Sequence, residues 1–490
     1  MTDRVLEVLR ARPDLAELAA FPFGFDVSRA YHVEAVHLAS GASLEAIAGD
    51  DTGGTYFLCG GTAVLHASSE GGSVLVGGSV GEALEVLVRL PWWCENVSAG
   101  IDDEEDLLAE IRAADDRARE EFAPDLDAQR AALLNGLGLP DRPPAELLAM
   151  SQSAARRTEP DHVLLNSLEL CAYQVDDAFR QPLRDVVLGP GRQALERMRS
   201  GGAGVREEAA GDPVLRAGIL RAAQYDRRDG DLPLLRFLLE HENAARAEWF
   251  EERWLAAVLV GLHGHDEDVP LLRSATTGQV TDSAGAVEWA RAQEAERYGR
   301  DVAAESEFTW IELARRQGRI EHARVALIRM LDDTGPDAHR LRALSRTLER
   351  IGDHAQAARA QSGLLSLQDT AWDRASEAYV LARLERLKGD LAAAGRALAR
   401  ARAAVGADST TAPGEAVAQW HRRGLGRLIT EQHLELTLAA VEAGDAELAH
   451  ATMAHSKPLL KSISKESAKA LSRLSTRAKW AVAGLRPPRT

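Results

Sequence analysis

The chain has 490 residues, 45% of them apolar, with 58 basic against 75 acidic side chains and a formal net charge of −17. Its length allows two to four domains with ample core, and its charge argues against nucleic acid or an anionic membrane as the partner of the body as a whole. Three cysteines, Cys59, Cys94 and Cys171, show no CxxC spacing, which excludes a disulfide framework or zinc knuckle and fits a reducing cytoplasm.

The opening stretch MTDRVLEVLRARPDLAEL reads as a short charged amphipathic helix, not as a signal core, and no apolar run further on is long enough to span a membrane. Up to about residue 98, short runs rich in β-branched and aromatic residues alternate with glycine turns: AYHVEAVHL, GGTYFLCG, TAVLHAS and GSVLVGG. They predict a small antiparallel sheet, closed by a helix from Val80 to Leu90 that stops at Pro91. Gly77 to Gly81 match the G-x-S-x-G string of a nucleophile elbow, but that elbow needs a parallel sheet with Asp and His on later strand ends. Only helices follow, so Ser79 is expected to cap the next helix, with Glu82 completing a capping box. The cluster GDDTGG (Gly49 to Gly54) lacks the Lys-Ser/Thr of a phosphate loop and reads as a hairpin turn.

The order of these parts resembles the SUKH (Smi1/Knr4-like) family over about 70 residues, Phe23 to Trp93. The matching stretches are LEAIAGDDTGGTYFL (Leu44 to Leu58), AVLHASSEGG (Ala63 to Gly72) and SVGEALEVLV (Ser79 to Val88), while the family's helical entry is shortened or altered. The resemblance implies a non-enzymatic α+β domain, of a kind that neutralises contact-delivered toxins by direct binding or serves as a regulatory hub. It also implies a recognition surface on the shallow face and loops near Asp50, Asp51, Gly53, Gly54 and Glu70. Trp92 and Trp93, just past the closing helix, read either as anchors for a partner or as packing against the helices that follow.

From Gly100 onward strands vanish. DDEEDLL (Asp102 to Leu108) places carboxylates in the first turns of a helix, where the macrodipole favours them. Helices broken at Pro140, Pro143, Pro160 and Pro190 lead to a flexible loop, Ser200 to Gly204. DLPLLR (Asp231 to Arg236) then recurs as DVPLLR (Asp268 to Arg273), 37 residues on, with Asp expected to cap each helix and Pro in its first turn. This pattern resembles HEAT-like repeats over Asp212 to Thr276. HGHDED (His263 to Asp268) has metal-ligand composition, but it occupies the place of the polar turn YDRRDGD (Tyr225 to Asp231) in the other copy and is expected to be a solvated turn.

Residues 305 to 456 resemble tetratricopeptide repeats. The turn Gly-Asp/Asn-x-x-x-Ala appears as GRIEHA (Gly318), GDHAQA (Gly352), GDLAAA (Gly389) and GDAELA (Gly444), with spacings of 34, 37 and 55 residues. The last interval holds the insertion GADSTTAPGE, and Trp310, Leu344, Leu381 and Leu436 each stand eight residues before their Gly. At the end of the chain Lys457, Lys461, Lys465, Lys469, Arg473 and Arg477 recur every fourth residue, predicting one drifting face of a single basic helix. That face reads either as solvated or bonded to the acidic body, or as a dock for an acidic partner, nucleic acid or membrane surface.

The fold expected is therefore an α+β N-terminal domain (1–98), a helical connection (99–210), HEAT-like repeats (211–304) and tetratricopeptide-like repeats with a basic C-terminal helix (305–490). The function expected is protein binding without catalytic residues, metal or cofactor. Toxin neutralisation, with a basic toxin domain as partner, leads; a scaffold gripping a peptide in the groove of the helical array is the alternative, and a metal-dependent or serine hydrolase the third reading. The Arg-over-Lys and Ala/Gly bias points to a GC-rich bacterial genome.

Overall fold

The structure, a computed structural model, describes residues 3–90, 93, 104–245, 250–406 and 423–485. Trp92, the start of DDEEDLL and most of GADSTTAPGE lie outside the described residues. Two compact units emerge: Met1–Leu164 with Tyr173–Ala326, and Leu165–Ala172 with Leu327–Thr490.

The first unit opens with two helices where one was expected, α1 (Arg4–Ala11) and α2 (Pro13–Ala20). Pro13 is the reason: the residue before a proline avoids the helical region, and Arg12 sits at φ −121, ψ 88. Asp3 starts α1 by accepting the N–H groups of Val5 and Leu6. The strand expected over AYHVEAVHL begins only at Val36, as β1 (Val36–Leu38).

Strands β2 (Leu44–Gly49), β3 (Thr55–Cys59), β4 (Ala63–Ala67) and β5 (Ser73–Gly77) form an antiparallel meander in that order. In β3 the side chains alternate as strand geometry requires. Tyr56 and Leu58 join Val64, Val76 and the Leu84 and Val88 of α3 (Val80–Arg89) in one core. Phe57 and Cys59 join Leu65, Ala67 and Leu75 beneath Ala154, Leu164 and Tyr173 in another. Both faces of the sheet are thus covered, and every β3 residue is buried. Ser79 caps α3 through the Glu82 N–H, as expected, and the Glu82 carboxylate returns to the N–H of Gly78.

The helices that follow share the first of these cores, contributing Leu107, Leu133 and Leu147. Among them Arg130 is held by two 2.6 Å bonds to Asp115 and donates to the Val88 carbonyl at 2.9 Å. Pro190, expected to break a helix, lies inside one running from Leu183 to Arg199. The loop expected at Ser200 to Gly204 is only a tight turn, since the next helix, Ala203–Gly211, starts within it. Beyond it, Gly191 crosses Gly218 of the Pro213–Tyr225 helix at backbone contact.

The hexapeptide repeat has a physical basis that its sequence conceals. Asp231 and Asp268 are 4% and 3% exposed, and neither accepts from the helix it precedes in the manner of a cap. Each instead takes an arginine 32 residues upstream with the same pair of atoms. Arg199 Nε and Nη2 reach Asp231 at 2.9 and 2.7 Å, and Arg236 Nε and Nη2 reach Asp268 at 2.6 and 3.0 Å. Arg236 closes the first hexapeptide and grips the second, so the repeat is a chain of end-on clamps. Pro233 and Pro270 sit in the first turn of their helices, where a missing N–H costs nothing.

The four Gly/Ala turns behave alike. Gly318, Gly352, Gly389 and Gly444 adopt φ of +73, +84, +96 and +75, the left-handed region open to glycine. At each, the Gly N–H and the N–H after it close back onto the preceding helix, for example Gly389 to Arg386 and Asp390 to Glu385. Asp353, Asp390 and Asp445 then cap the following helix, a task Arg319 does not perform in the first copy. Ala323, Ala357, Ala394 and Ala449 have no exposed surface, and Trp310, Leu344, Leu381 and Leu436 are buried as expected.

Within the second unit the segment 165–172 is fastened at Leu170, whose carbonyl accepts from Gln356 Nε2 at 2.7 Å and Arg359 Nη1 at 3.2 Å. Gln356 itself is 1% exposed. The basic end of the chain is not the single helix expected. It divides into Ala446–Ser462, Lys465–Ala470 and Ser472–Ala483, because Ile463 turns extended, at ψ 163, to bury its side chain and Ser464 caps the next helix.

Candidate recognition surface

Three segments meet at one end of the sheet, and they include five residues singled out in the sequence. The β2–β3 turn is built around the carboxylate of Asp50. Its Oδ1 accepts from Thr52 N (2.8 Å), Thr52 Oγ1 (2.8 Å) and Gly54 N (2.7 Å), and its Oδ2 faces His66 Nε2 at 2.7 Å. A Cβ on Gly54 would lie 2.4 Å from both Asp50 Oδ2 and His66 Nε2, so only glycine admits that bond. Gly53, at φ +89, lies against Ser69 of the β4–β5 turn, which carries the exposed Glu70. Asp51 points outward and meets Arg29 Nη1 at 3.2 Å.

Asp50 is therefore the organiser of this surface and is too fully bonded to grip a partner. Burial by itself would raise its carboxyl; the bonds from His66, Thr52 and Gly54 outweigh burial and hold it well below the usual carboxylate range. A group depressed in the folded state contributes stability above its unfolded pKa of about 3.9 and loses it as pH falls further. We expect the stability gap between wild type and Asp50→Asn, measured by urea unfolding, to be full at pH 7 and to shrink below about pH 4; a gap independent of pH would contradict this account.

His66 went unnoticed in the sequence because nothing local marks it. It stacks between Tyr56 (4.8 Å) and Trp93 (5.6 Å, edge-on), and Tyr56 continues to Phe25 (5.1 Å). Trp93 is 7% exposed inside this aromatic row, so it is a core residue and not an anchor for a partner.

The exposed part of the surface is the segment 29–34, also missed. Tyr31 and Val33 are 68% and 89% exposed. Between them His32 is pinned, Nδ1 to Thr55 Oγ1 and Nε2 to Tyr173 Oη, both at 3.0 Å, and the Tyr173 hydroxyl reaches Glu34 Oε2 at 3.0 Å. Burial pushes the His32 imidazole below its usual value, against the pull of Glu34. Thr55 Oγ1 donates to the Tyr31 carbonyl, and Arg29 Nη1 to that of Asp50. Two apolar side chains are thus presented on a backbone that is already fixed, within a rim carrying Glu34, Asp51 and Glu70. Such an arrangement suits a protein partner, since ordering costs are met before binding.

The hydrolase strings do not assemble. Ser79 is committed to its cap, and in HGHDED both Glu267 and Asp268 are taken by Arg236. No group of three metal-binding side chains occurs among the described residues. Lys457, Lys461, Lys465, Lys469 and Arg473 belong to the second unit, where all are exposed. No family model, curated protein or solved structure matches this chain.

Proposed function

We propose that the chain is a non-enzymatic protein-binding protein of the cytoplasm, with a SUKH-like head and HEAT-like and tetratricopeptide-like helical repeats, acting as an immunity protein that neutralises a toxin by direct contact. The observation that carries this reading is the pinned segment with Tyr31 and Val33 exposed beside Glu34, Asp51 and Glu70, an apolar centre with an acidic rim suited to a basic toxin domain. The test is co-expression with the toxin encoded beside the gene. The protein is expected to restore growth, and Tyr31→Ala with Val33→Ser to weaken toxin binding by about 30-fold or more while Tyr31→Phe binds normally. Failure to protect, or full protection by the double variant, would sink the proposal.

A second reading, a scaffold that grips a peptide, is favoured by a pocket of about 390 Å³ in the second unit. It is lined by Ser362, Leu365, Ser366, Arg374 and Arg400, a set suited to a carboxylate beside a small apolar contact. An acidic peptide that binds this pocket and is released by Arg400→Ala would select that reading.

A further inference from the structure

The C-terminal end of the second unit carries a group of cations without partners among the described residues. Lys457 and Lys461 lie one turn apart on the Ala446–Ser462 helix, Lys465 and Lys469 on the Lys465–Ala470 helix, and Arg473 and Arg477 on the Ser472–Ala483 helix, with Lys479 following. All seven are exposed, and among the described residues none of them makes an ion pair or hydrogen bond. Residues 457–490 hold nine basic groups and one acid, Glu466, a net of +8, so with −17 for the whole chain residues 1–456 carry −25.

Trp480 stands with them. It is 76% exposed and follows Arg473 and Arg477 by seven and three residues, which puts all three on one face of the helix. This exposure is not a gap in packing. The apolar side of the same segment, Ile463, Leu471, Ala478 and Val482, is buried in the unit's core, so the indole projects from the polar side.

The kind of cation separates the anionic partners. Among the described residues the most deeply buried carboxylates are set against arginine, as in Arg130 on Asp115, Arg216 on Glu242 and Arg236 on Asp268, while Lys388 meets the part-buried Glu385. Five of its six lysines lie between 457 and 479. The guanidinium fork matches anions held in fixed positions, as on a folded protein or a nucleic acid, whereas lysine is a hydrated point charge on a flexible stem. It suits anions that move, such as the headgroups of a fluid bilayer. Clusters of four to eight basic residues on an amphipathic helix are a footprint of anionic lipid binding, and here seven are shared by three consecutive helices; an indole favours the boundary between headgroups and chains.

We propose that this end of the protein docks peripherally on an anionic phospholipid surface, with the lysines among the headgroups and Trp480 at their inner boundary. The acidic remainder is repelled by the same surface, which confines attachment to this basic segment.

The test uses the full chain with vesicles of phosphatidylcholine alone or with about 40% phosphatidylglycerol, at ~50 and ~500 mM salt. Cosedimentation is expected at least about tenfold stronger with the anionic vesicles and lost at high salt. Lys461→Glu/Lys465→Glu/Lys469→Glu is expected to abolish it, and Trp480→Ala to weaken it severalfold without changing its salt dependence. These side chains are exposed; circular dichroism verifies the fold, and the neutralising pair Lys465→Gln/Lys469→Gln, expected to show an intermediate loss, replaces the triple variant if that one misfolds. Equal binding to both vesicle types, no binding to either, or binding unaffected by the charge variants would overturn the proposal. So would tighter, charge-variant-sensitive binding to a short DNA duplex, which would assign the surface to nucleic acid.

Discussion

Gly191→Ala is expected to destabilise the first unit by about 3 kcal/mol, the upper range for overpacking a tight interface, whereas Gly218→Ala across the same crossing leaves stability unchanged or slightly raised. The two glycines face each other, yet the contact is asymmetric. A Cβ on Gly191 would fall 2.2 Å from the Gly218 carbonyl oxygen, 2.4 Å from its carbon and 2.9 Å from its Cα, all backbone atoms that move only if the helices part. A Cβ on Gly218 would meet the Gly191 Cα at 3.4 Å, an ordinary contact. Since Cβ atoms tilt toward the helix N-terminus, two facing positions need not be equivalent. At Gly218 the helix gains alanine's propensity, up to about 1 kcal/mol, with little to offset it. Urea unfolding of the two variants decides the matter; equal losses would mean the crossing is looser than described.

The second large effect concerns the clamps of the hexapeptide repeat. Arg236→Ala leaves the Asp268 carboxylate, 3% exposed, without the guanidinium that pairs with it. Removing one partner of such a pair leaves an uncompensated charge on the buried side, so a clear loss of stability is expected. Asp268→Ala is expected to cost less, because the Arg236 side chain is 27% exposed and retains Glu267. Removing both partners should be milder than the sum of the single losses, which a double-mutant cycle reads as a favourable coupling between the two positions. The Arg199–Asp231 clamp should show the same coupling, though Arg199→Ala also releases Glu196 and Asp226. Additive losses within either pair would show that the repeated aspartates have some other role.

Both predictions rest on features that the sequence announces only in part. The Gly/Ala turns were legible because everything they need lies within six residues: a left-handed glycine, a capping aspartate and a small contact residue. The meander and the Ser79 cap were legible for the same reason. The clamps were half visible, since the 37-residue echo marks the aspartates while their arginines stand 32 residues away with no local signature. The candidate surface was the least visible. Asp50 reads as an exposed acid until His66 comes against it across the sheet, and Tyr31 and Val33 read as a strand until Thr55 and the distant Tyr173 hold the segment open. Trp93 depends on the same partner, His66, to become core. Pro190 failed as a breaker: an interior proline removes one helix hydrogen bond at a cost of about 3 kcal/mol, yet the helix Leu183–Arg199 continues through it into the close Gly191–Gly218 crossing.

The short segment 165–172 belongs to a unit whose other residues begin only at Leu327. Leu170 and its anchor Gln356 are 186 positions apart. At a ribosomal pace of ~5–20 residues per second, the donor side chains emerge on the order of ten to forty seconds after the carbonyl they serve. Throughout that interval the Leu170 carbonyl is without the Gln356 and Arg359 donors that hold it in the folded unit. The second unit therefore cannot close until synthesis is well advanced, and a chain cut short before Gln356 leaves this segment without the donors that seat it.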